Sequence, residues 1–295
     1  MQNEATRSAE QDIKVHRVNS FTRDHSGGNP AGVVLNPPPL SAGQKTEIAR
    51  QVGFSETAFV YTGEETDFKV DFFTPEGEVD LCGHATLAVF STLASLGQLA
   101  PGQYTQQTKA GILRVAVGPH GVVMDQALPV MRQGPAVADV AAALGVSPGI
   151  ITGTGLPTAV VSTGLPDILI PVLPGQLDTL QPDYEAIANL SRTFDTIGFH
   201  VFELSRDASI TAHCRNFAPL YGIDEESATG SASGALGCYL VHHVLPGETQ
   251  FLLEQGRAMG CPSLIQVMID AEGNTIHRVR VGGQATMAGT QTIAL

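Results

Sequence analysis

The sequence has no tryptophan and few basic residues, with 16 lysines and arginines among 295 residues. Because 29 residues are aspartate or glutamate, the formal net charge is -13, which repels a phosphate backbone. The 12 phenylalanines and five tyrosines also provide little for a base-stacking surface. We therefore predict a protein that does not bind nucleic acid.

Cysteine is scarce and widely spaced, at Cys82, Cys214, Cys238 and Cys261. There is no CxxC pair and no spacing typical of a zinc site, which predicts reduced thiols and no metal. The polar segment 1–12 lacks the apolar stretch of a signal peptide and is interpreted as a flexible leader. The sequence thus predicts a cytoplasmic protein.

Long apolar runs are also missing. One uncharged run of 27 residues, 140–166, contains five glycines and three prolines, too many helix breakers for a helix in lipid. We therefore predict no membrane segment, and the chain length favours two domains.

Apolar and alternating runs predict strands at 13–21, 31–36, 57–61 and 67–73. Ser41 and Gln44 form a capping box for a helix that should end at Gly53. Two further segments, 84–96 and 231–244, are apolar almost all round, which is typical of helices buried in a core.

Three short segments of the first half recur in the second half. They are 28–34 and 155–161 (offset 127), 73–75 and 217–219 (offset 144), and 83–85 and 230–232 (offset 147). This repeat predicts an α+β protein of two similar lobes, 13–126 and 127–284, each a mostly antiparallel sheet around a buried helix. The last strand, 285–295, is predicted to return to the first lobe.

The cleft between such lobes would receive the N-termini of both buried helices. Free N–H groups and the positive dipole end attract an anion there, and Gly83 and Gly230 would let a ligand approach closely. We predict a small ligand with a carboxylate. Taken singly, each glycine is more simply explained as a turn residue before a core helix.

Several catalytic signatures fail. Segment 230–234 resembles a nucleophile elbow but has Ala232 at its centre, and there is no dinucleotide or P-loop motif. Glu56, between Ser55 and Thr57, is a candidate general base, although a lone loop carboxylate is usually solvated.

Cys82 and His84 lie at a predicted helix N-terminus. This position should lower the pKa of a thiol and keep an imidazole neutral, which suits a proton relay. An inert buried thiol and a helix-capping histidine are equally good explanations.

Five motifs occur together in one order: 28–30 (GNP), 55–59 (SETAF), 73–75 (FTP), 78–86 (EVDLCGHAT) and 228–231 (ATGS). With them, the chain from about residue 13 onward resembles the PhzF-like (phenazine biosynthesis) isomerase family, which shares the diaminopimelate epimerase fold. The resemblance implies two pseudo-symmetric lobes, each a mixed sheet curled around a central helix, with the site between them. It also implies a homodimer.

The best-known member of that family isomerises trans-2,3-dihydro-3-hydroxyanthranilate without a cofactor. The resemblance implies that Glu56 moves the proton as general acid and base. It further implies a set of substrate-contacting or pocket-lining residues, namely Asn29, Ser55, Gly83, His84, Gly230 and Ser231.

Two departures from the family pattern add residues to the candidate site. Glu226 stands where the family often has an aspartate, one methylene shorter, and we assign it to the catalytic set with Glu56 and His84. Cys82 replaces an alanine of the phenazine enzyme, and we place it with Thr229 among the substrate-binding residues. Related epimerases use two opposed thiols, whereas the matching position of the second lobe has Ala228 and Thr229.

Three interpretations follow. The leading one is a cofactor-independent isomerase of a small carboxylate-bearing metabolite. A racemase or epimerase would pair Cys82 with Glu56 or Glu226 as the opposed base. A metabolite-binding or partner-binding protein would keep the fold without the chemistry.

Overall fold

The computed structural model describes residues 12–273 and 275–295. Over these residues the chain forms six α-helices and 18 β-strands, which confirms the predicted α+β class. The helices are α1 (Ala42–Val52), α2 (Gly83–Ser95), α3 (Val137–Ala143), α4 (Pro148–Thr152), α5 (Tyr184–Phe194) and α6 (Gly230–His243). The leader predicted at 1–12 lies outside the described residues, except that Asp12 begins the first strand.

The strands are numbered in chain order. They are β1 (Asp12–Ser20), β2 (Asn29–Leu35), β3 (Thr57–Thr62), β4 (Phe68–Thr74), β5 (Gly77–Val79), β6 (Gly102–Thr108), β7 (Gly111–Gly118), β8 (Gly121–Gln126), β9 (Val130–Gln133), β10 (Ala159–Ser162), β11 (Pro166–Pro171), β12 (Phe199–Leu204), β13 (Ala212–Ala218), β14 (Ile223–Glu226), β15 (Gln250–Gln255), β16 (Ser263–Glu272), β17 (Thr275–Gly283) and β18 (Ala285–Ala294).

Local sequence signals set the helix ends. Ser41 and Gln44 form the predicted capping box of α1, and Gly53 ends that helix in the left-handed conformation at φ +75°. Helix α2 begins one residue before the predicted start and is followed by Gly97 at φ +70°, a position that favours glycine.

The strands form one connected, mostly antiparallel network. Its parallel pairs are β2 with β3, β4 with β6, β11 with β12, and β13 with β15. Helices α1, α2, α5 and α6 lie in the respective crossovers, as parallel pairing requires.

The order of elements from β1 to β8 recurs from β10 to β17. Segments 73–75 and 217–219 end the equivalent strands β4 and β13, and Gly83 and Gly230 begin the equivalent helices α2 and α6. The predicted recurrence of 28–34 at 155–161 is wrong. Segment 28–34 covers β2, whereas 155–161 leads into β10, the equivalent of β1. The two segments are similar only because each has a glycine–proline turn before an apolar strand.

Helices α2 and α6 are buried, as predicted. Helix α2 packs on β1, β2 and β8, while α6 packs on β10, β16 and β17. A Cβ added at Gly237 of α6 would lie 2.6 Å from Val267 Cγ1, so this glycine lets the helix approach the sheet. Strand β18 pairs with β1 from Asp12 opposite Ala294 to Ser20 opposite Ala285.

Within the described ranges, no helix is both long and apolar enough to span a membrane.

Candidate active site

The site forms where the starts of α2 and α6 meet the loop before β3. The structure brings Asn29, Glu56, Cys82, His84 and Glu226 into one contact network at this point. These residues are far apart in the sequence but were all predicted as site residues. Their contacts are now known, while their roles remain predictions.

Glu56 is fixed by the turn that ends α1. Gly53 reverses the chain, and the carbonyl of Glu56 accepts a hydrogen bond from the Gly32 N–H of β2 at 3.0 Å. The carboxylate is largely buried, and Oε2 lies 3.2 Å from Nε2 of His84. Among the described residues, this oxygen has no partner with hydrogen-bond geometry. This oxygen of Glu56 therefore lies beside the His84 ring and is free to accept a proton.

His84 is the second residue of α2, and its ring is buried between two carboxylates. Its carbonyl accepts a hydrogen bond from Ser20 Oγ at 2.7 Å, which anchors the helix start to β1. Glu56 faces Nε2, whereas Nδ1 lies 3.4 Å from Asn29 Nδ2 and 3.7 Å from Glu226 Oε1. The imidazole thus connects the two glutamates.

Glu226 ends β14 and is held by hydrogen bonds on both oxygens. Asn29 Nδ2 donates to Oε1 at 2.9 Å, and Thr229 Oγ1 donates to Oε2 at 2.6 Å. Gln255 Nε2 donates to the carbonyl of Glu226 at 2.7 Å and to Thr229 Oγ1 at 3.1 Å. These contacts leave the carboxylate little freedom to turn.

The charges of Glu56 and His84 depend on each other. Burial alone would raise the pKa of Glu56, but the attraction of the nearby His84 charge, with help from Ser55, outweighs it and lowers that pKa. Burial likewise opposes a charge on His84, but the neighbouring Cys82 and Glu56 raise its pKa well above 6.5. At neutral pH the Cys82 thiol is protonated, so the Glu56 carboxylate is the anion that stabilises the His84 cation. We infer a resting pair of ionised Glu56 and cationic His84.

Cys82 corrects the expectation drawn from its helix position. Burial and the charge of Glu56 raise the pKa of this thiol, and these effects exceed the help from His84 and the helix start. The predicted lowered thiol pKa is therefore wrong, as is a neutral His84. For Cys82, burial together with the charge of Glu56 outweighs the helix dipole; for His84, the neighbouring Cys82 and Glu56 do so.

Glu56, Cys82 and His84 could hold a metal ion, since one ligand atom from each lies within 4.8 Å of the others. The sulfur is 3.4 Å from Nδ1 and 3.9 Å from Nε2.

Gly83 and Gly230 are the first residues of α2 and α6. A Cβ at Gly83 would lie 3.8 Å from Met124 Sδ, and one at Gly230 would lie 3.5 Å from the Phe21 ring. Both are ordinary contacts, so neighbouring protein atoms do not require glycine at these positions. This is compatible with the predicted close approach of a ligand. Ser231 follows in α6, and its carbonyl accepts a hydrogen bond from Thr163.

Two contributors were not predicted, Ser20 and Gln255. Ser20 ends β1, and Gln255 ends β15. No motif marks either residue, because each reaches the site through strand pairing rather than through its sequence neighbours.

Removal of the His84 cation should change the titration of Glu56. In His84→Asn, burial is left without the opposing attraction, so the pKa of Glu56 should rise above 4.5, the ordinary value for glutamate. A carbon NMR titration with carboxyl-labelled glutamate measures this directly. An unchanged Glu56 titration would show that His84 does not set its charge.

A buried glutamate beside a histidine whose pKa is raised, next to two helix starts, is an arrangement that can accept and return a proton. The phenazine biosynthesis-like protein family model matches residues 18–290. The chain therefore belongs to this family.

Relatives agree with that assignment. The uncharacterised isomerase YddE of Escherichia coli K12 is 34% identical over 286 residues, covering 93% of this chain and 96% of that protein. The crystal structure of a PhzF-family phenazine biosynthesis protein of Bacillus anthracis matches with a TM-score of 0.89 and 27% identity, covering 97% and 100% of the two chains. The prediction of an enzyme of the isomerase class is confirmed.

A more distant neighbour shares the fold alone. It is a hydroxyproline epimerase of Agrobacterium vitis, with a TM-score of 0.64, 13% identity and coverage of 98% of this chain and 93% of that one.

Proposed function

We propose that this chain is a cofactor-independent isomerase in which a single glutamate, Glu56, moves a proton within a small carboxylate-bearing metabolite similar to dihydrohydroxyanthranilate. The observation that carries the proposal is the buried Glu56 carboxylate, ionised beside His84 with one oxygen lacking a hydrogen-bond partner among the described residues.

Proton transfer would proceed in two steps at one carboxylate. Ionised Glu56 removes a proton next to an unsaturated or carbonyl group and returns it to another carbon of the same molecule. His84, as a cation, offsets the charge that develops on the substrate, because both groups are shielded from water. His84 also holds Glu56 in place between the steps.

Substrate binding would use the two helix starts. The N–H groups near Gly83, Gly230 and Ser231 would donate hydrogen bonds to the substrate carboxylate, with Asn29 and Ser55 lining the pocket. Glu226 would orient the polar end of the substrate, assisted by Thr229. Because Glu226 is one methylene longer than the family aspartate, we propose a substrate different in shape from that of the phenazine enzyme.

The proposal also covers the arrangement of the lobes and the assembly of the enzyme. We place the site between two pseudo-symmetric lobes, 13–126 with 285–295 and 127–284, each a mixed sheet around α2 or α6. We also propose that the enzyme is a cytoplasmic homodimer, so light scattering should give twice the mass of the chain. A single chain mass would contradict the dimer.

One observation supports a racemase or epimerase as the second candidate. The fold is shared with a hydroxyproline epimerase, and Cys82 Sγ lies 3.4 Å from His84 Nδ1. The raised pKa of the Cys82 thiol makes it a poor base at neutral pH. In addition, Ala228 and Thr229 offer no second thiol.

Product analysis separates these candidates. The protein is incubated with small unsaturated and amino carboxylates, including dihydrohydroxyanthranilate, and products are examined by NMR and chiral chromatography. We expect a shifted double bond and nearly unchanged turnover in Cys82→Ser. An inverted stereocentre with turnover lost in Cys82→Ser would establish the epimerase. Ligand-induced thermal stabilisation without any product would favour a binding protein.

A further inference from the structure

A row of buried polar side chains crosses four neighbouring strands and ends at Glu226. His200 on β12 is directly opposite Asn216 on β13, and Asn216 is opposite Glu226 on β14. On β11, Leu169 is opposite His200, and Asp167 is two residues before Leu169. Side chains two residues apart, and those directly opposite, share one face of a sheet. All four polar side chains therefore lie on the face that α6 covers.

This row is not a requirement of the fold. The equivalent strands β3, β4 and β5 carry Ala58 opposite Phe72 and Phe72 opposite Val79. Ala58 and Phe72 are buried in the apolar core, and Val79 packs against it. The same arrangement of strands is thus stable with an apolar row.

The buried end of the row is short of hydrogen-bond partners. Asp167 is 1% exposed and His200 is fully buried. Within the described part of the chain, Asp167 Oδ1 and His200 Nε2 have no hydrogen-bond partner. An ionised carboxylate in this position would be buried with an unsatisfied oxygen, which is far more costly than a neutral acid.

Asn216 connects the two buried groups. Its Nδ2 lies 3.2 Å from Nδ1 of His200, and because an amide nitrogen only donates, Nδ1 accepts. Burial lowers the pKa of His200 to about 3, so the ring is neutral and supplies no charge to balance Asp167. Asn216 also lowers the pKa of Asp167, which only partly offsets the effect of its burial.

Among the titratable groups on the elements packed around Asp167, one acts on its charge. Helix α6 carries Cys238, Tyr239, His242 and His243. Burial raises the pKa of Cys238 to about 12, raises that of Tyr239 and lowers that of His243. Cys214, on β13, also has its pKa raised by burial. Strand β10 carries no titratable residue. Glu226 is therefore the charged group that acts on Asp167.

We propose that Asp167, at the buried end of this row, is held protonated in the folded protein by its burial and by the charge of Glu226 at the other end. Two carboxylates that repel each other bind protons as a pair, and the more buried member keeps the proton. Asp167 then stays neutral while Glu226 can ionise beside His84.

Two pKa directions agree with this arrangement. Burial, followed by the charge of Glu226, raises the pKa of Asp167 to about 8. Burial also raises the pKa of Glu226, with His84 opposing and Glu56 adding to the rise. The proposal involves Glu226 of the proposed isomerase and rests on that function only in this respect, because its test uses no substrate.

The test is carbon NMR of protein containing carboxyl-labelled aspartate. We expect one aspartate carbon to titrate near pH 8, to disappear in Asp167→Asn, and to titrate at lower pH in Glu226→Gln. Asp224→Asn, an exposed change on the same strand as Glu226, should leave that signal unchanged. If Asp167→Asn does not fold, the comparison of wild type with Glu226→Gln still decides.

An aspartate signal that titrates near pH 8 and is unchanged in Glu226→Gln would overturn the effect of Glu226 on Asp167. The absence of any aspartate titrating above pH 6 would overturn it as well. Failure of the product assay, with this NMR result intact, would contradict the isomerase alone.

Discussion

Glu56→Gln is expected to reduce turnover by about 10²- to 10⁴-fold, the usual contribution of a general acid or base. Glutamine has nearly the same shape and fills the same buried space, but it cannot accept the proton. Because Glu56 is proposed to act on the reacting carbons and not on the substrate carboxylate, KM should change far less than kcat. Steady-state kinetics on the substrate found by the product assay measures both.

The matched control is Glu64→Gln, an exposed glutamate between β3 and β4. It should keep full activity. If Glu56→Gln retained more than a tenth of wild-type turnover, another group would have to move the proton. The neighbouring Cys82 and Glu226 would then become the candidates.

Asp167→Asn is expected to remove a large part of the pH dependence of stability. In the unfolded chain Asp167 has an ordinary pKa of 3.8, whereas in the folded protein burial raises it to about 8. Folding therefore takes up a proton between these values. The resulting stabilisation is complete below the unfolded pKa and is lost as pH rises through the folded pKa.

From about pH 5 to about pH 8, this single group should lower the free energy of unfolding of the wild type by about 3 to 4 kcal/mol. Urea unfolding at both pH values gives the difference. Asp167→Asn should lose most of that change, while Asp224→Asn should keep it. An identical pH dependence in wild type and Asp167→Asn would show that Asp167 is ionised in the folded protein.

Local signals made much of the fold predictable. The capping box at Ser41, the end of α1 at Gly53 and the buried helices α2 and α6 all follow from short sequence patterns. The family motifs also identified Glu56, His84 and Glu226, which the structure brings into contact.

Properties that depend on pairing across the fold were not predictable. The thiol pKa of Cys82 was wrongly expected to be lowered, because the sequence showed its helix start but not its burial beside Glu56. Gln255 reaches Glu226 only because β15 pairs with β13. Likewise, Asp167 and His200 look like ordinary strand residues in the sequence. Only the strand register shows that they lie on one face of the sheet.

Hydrogen exchange between solvent and substrate tests the central claim most directly. Wild type, Glu56→Gln and Cys82→Ser are incubated in heavy water with the substrate, and deuterium incorporation is followed by mass spectrometry. We expect deuterium uptake in wild type and Cys82→Ser and its loss in Glu56→Gln. Exchange that persists in Glu56→Gln, or that is lost in Cys82→Ser, would contradict proton transfer by a single glutamate.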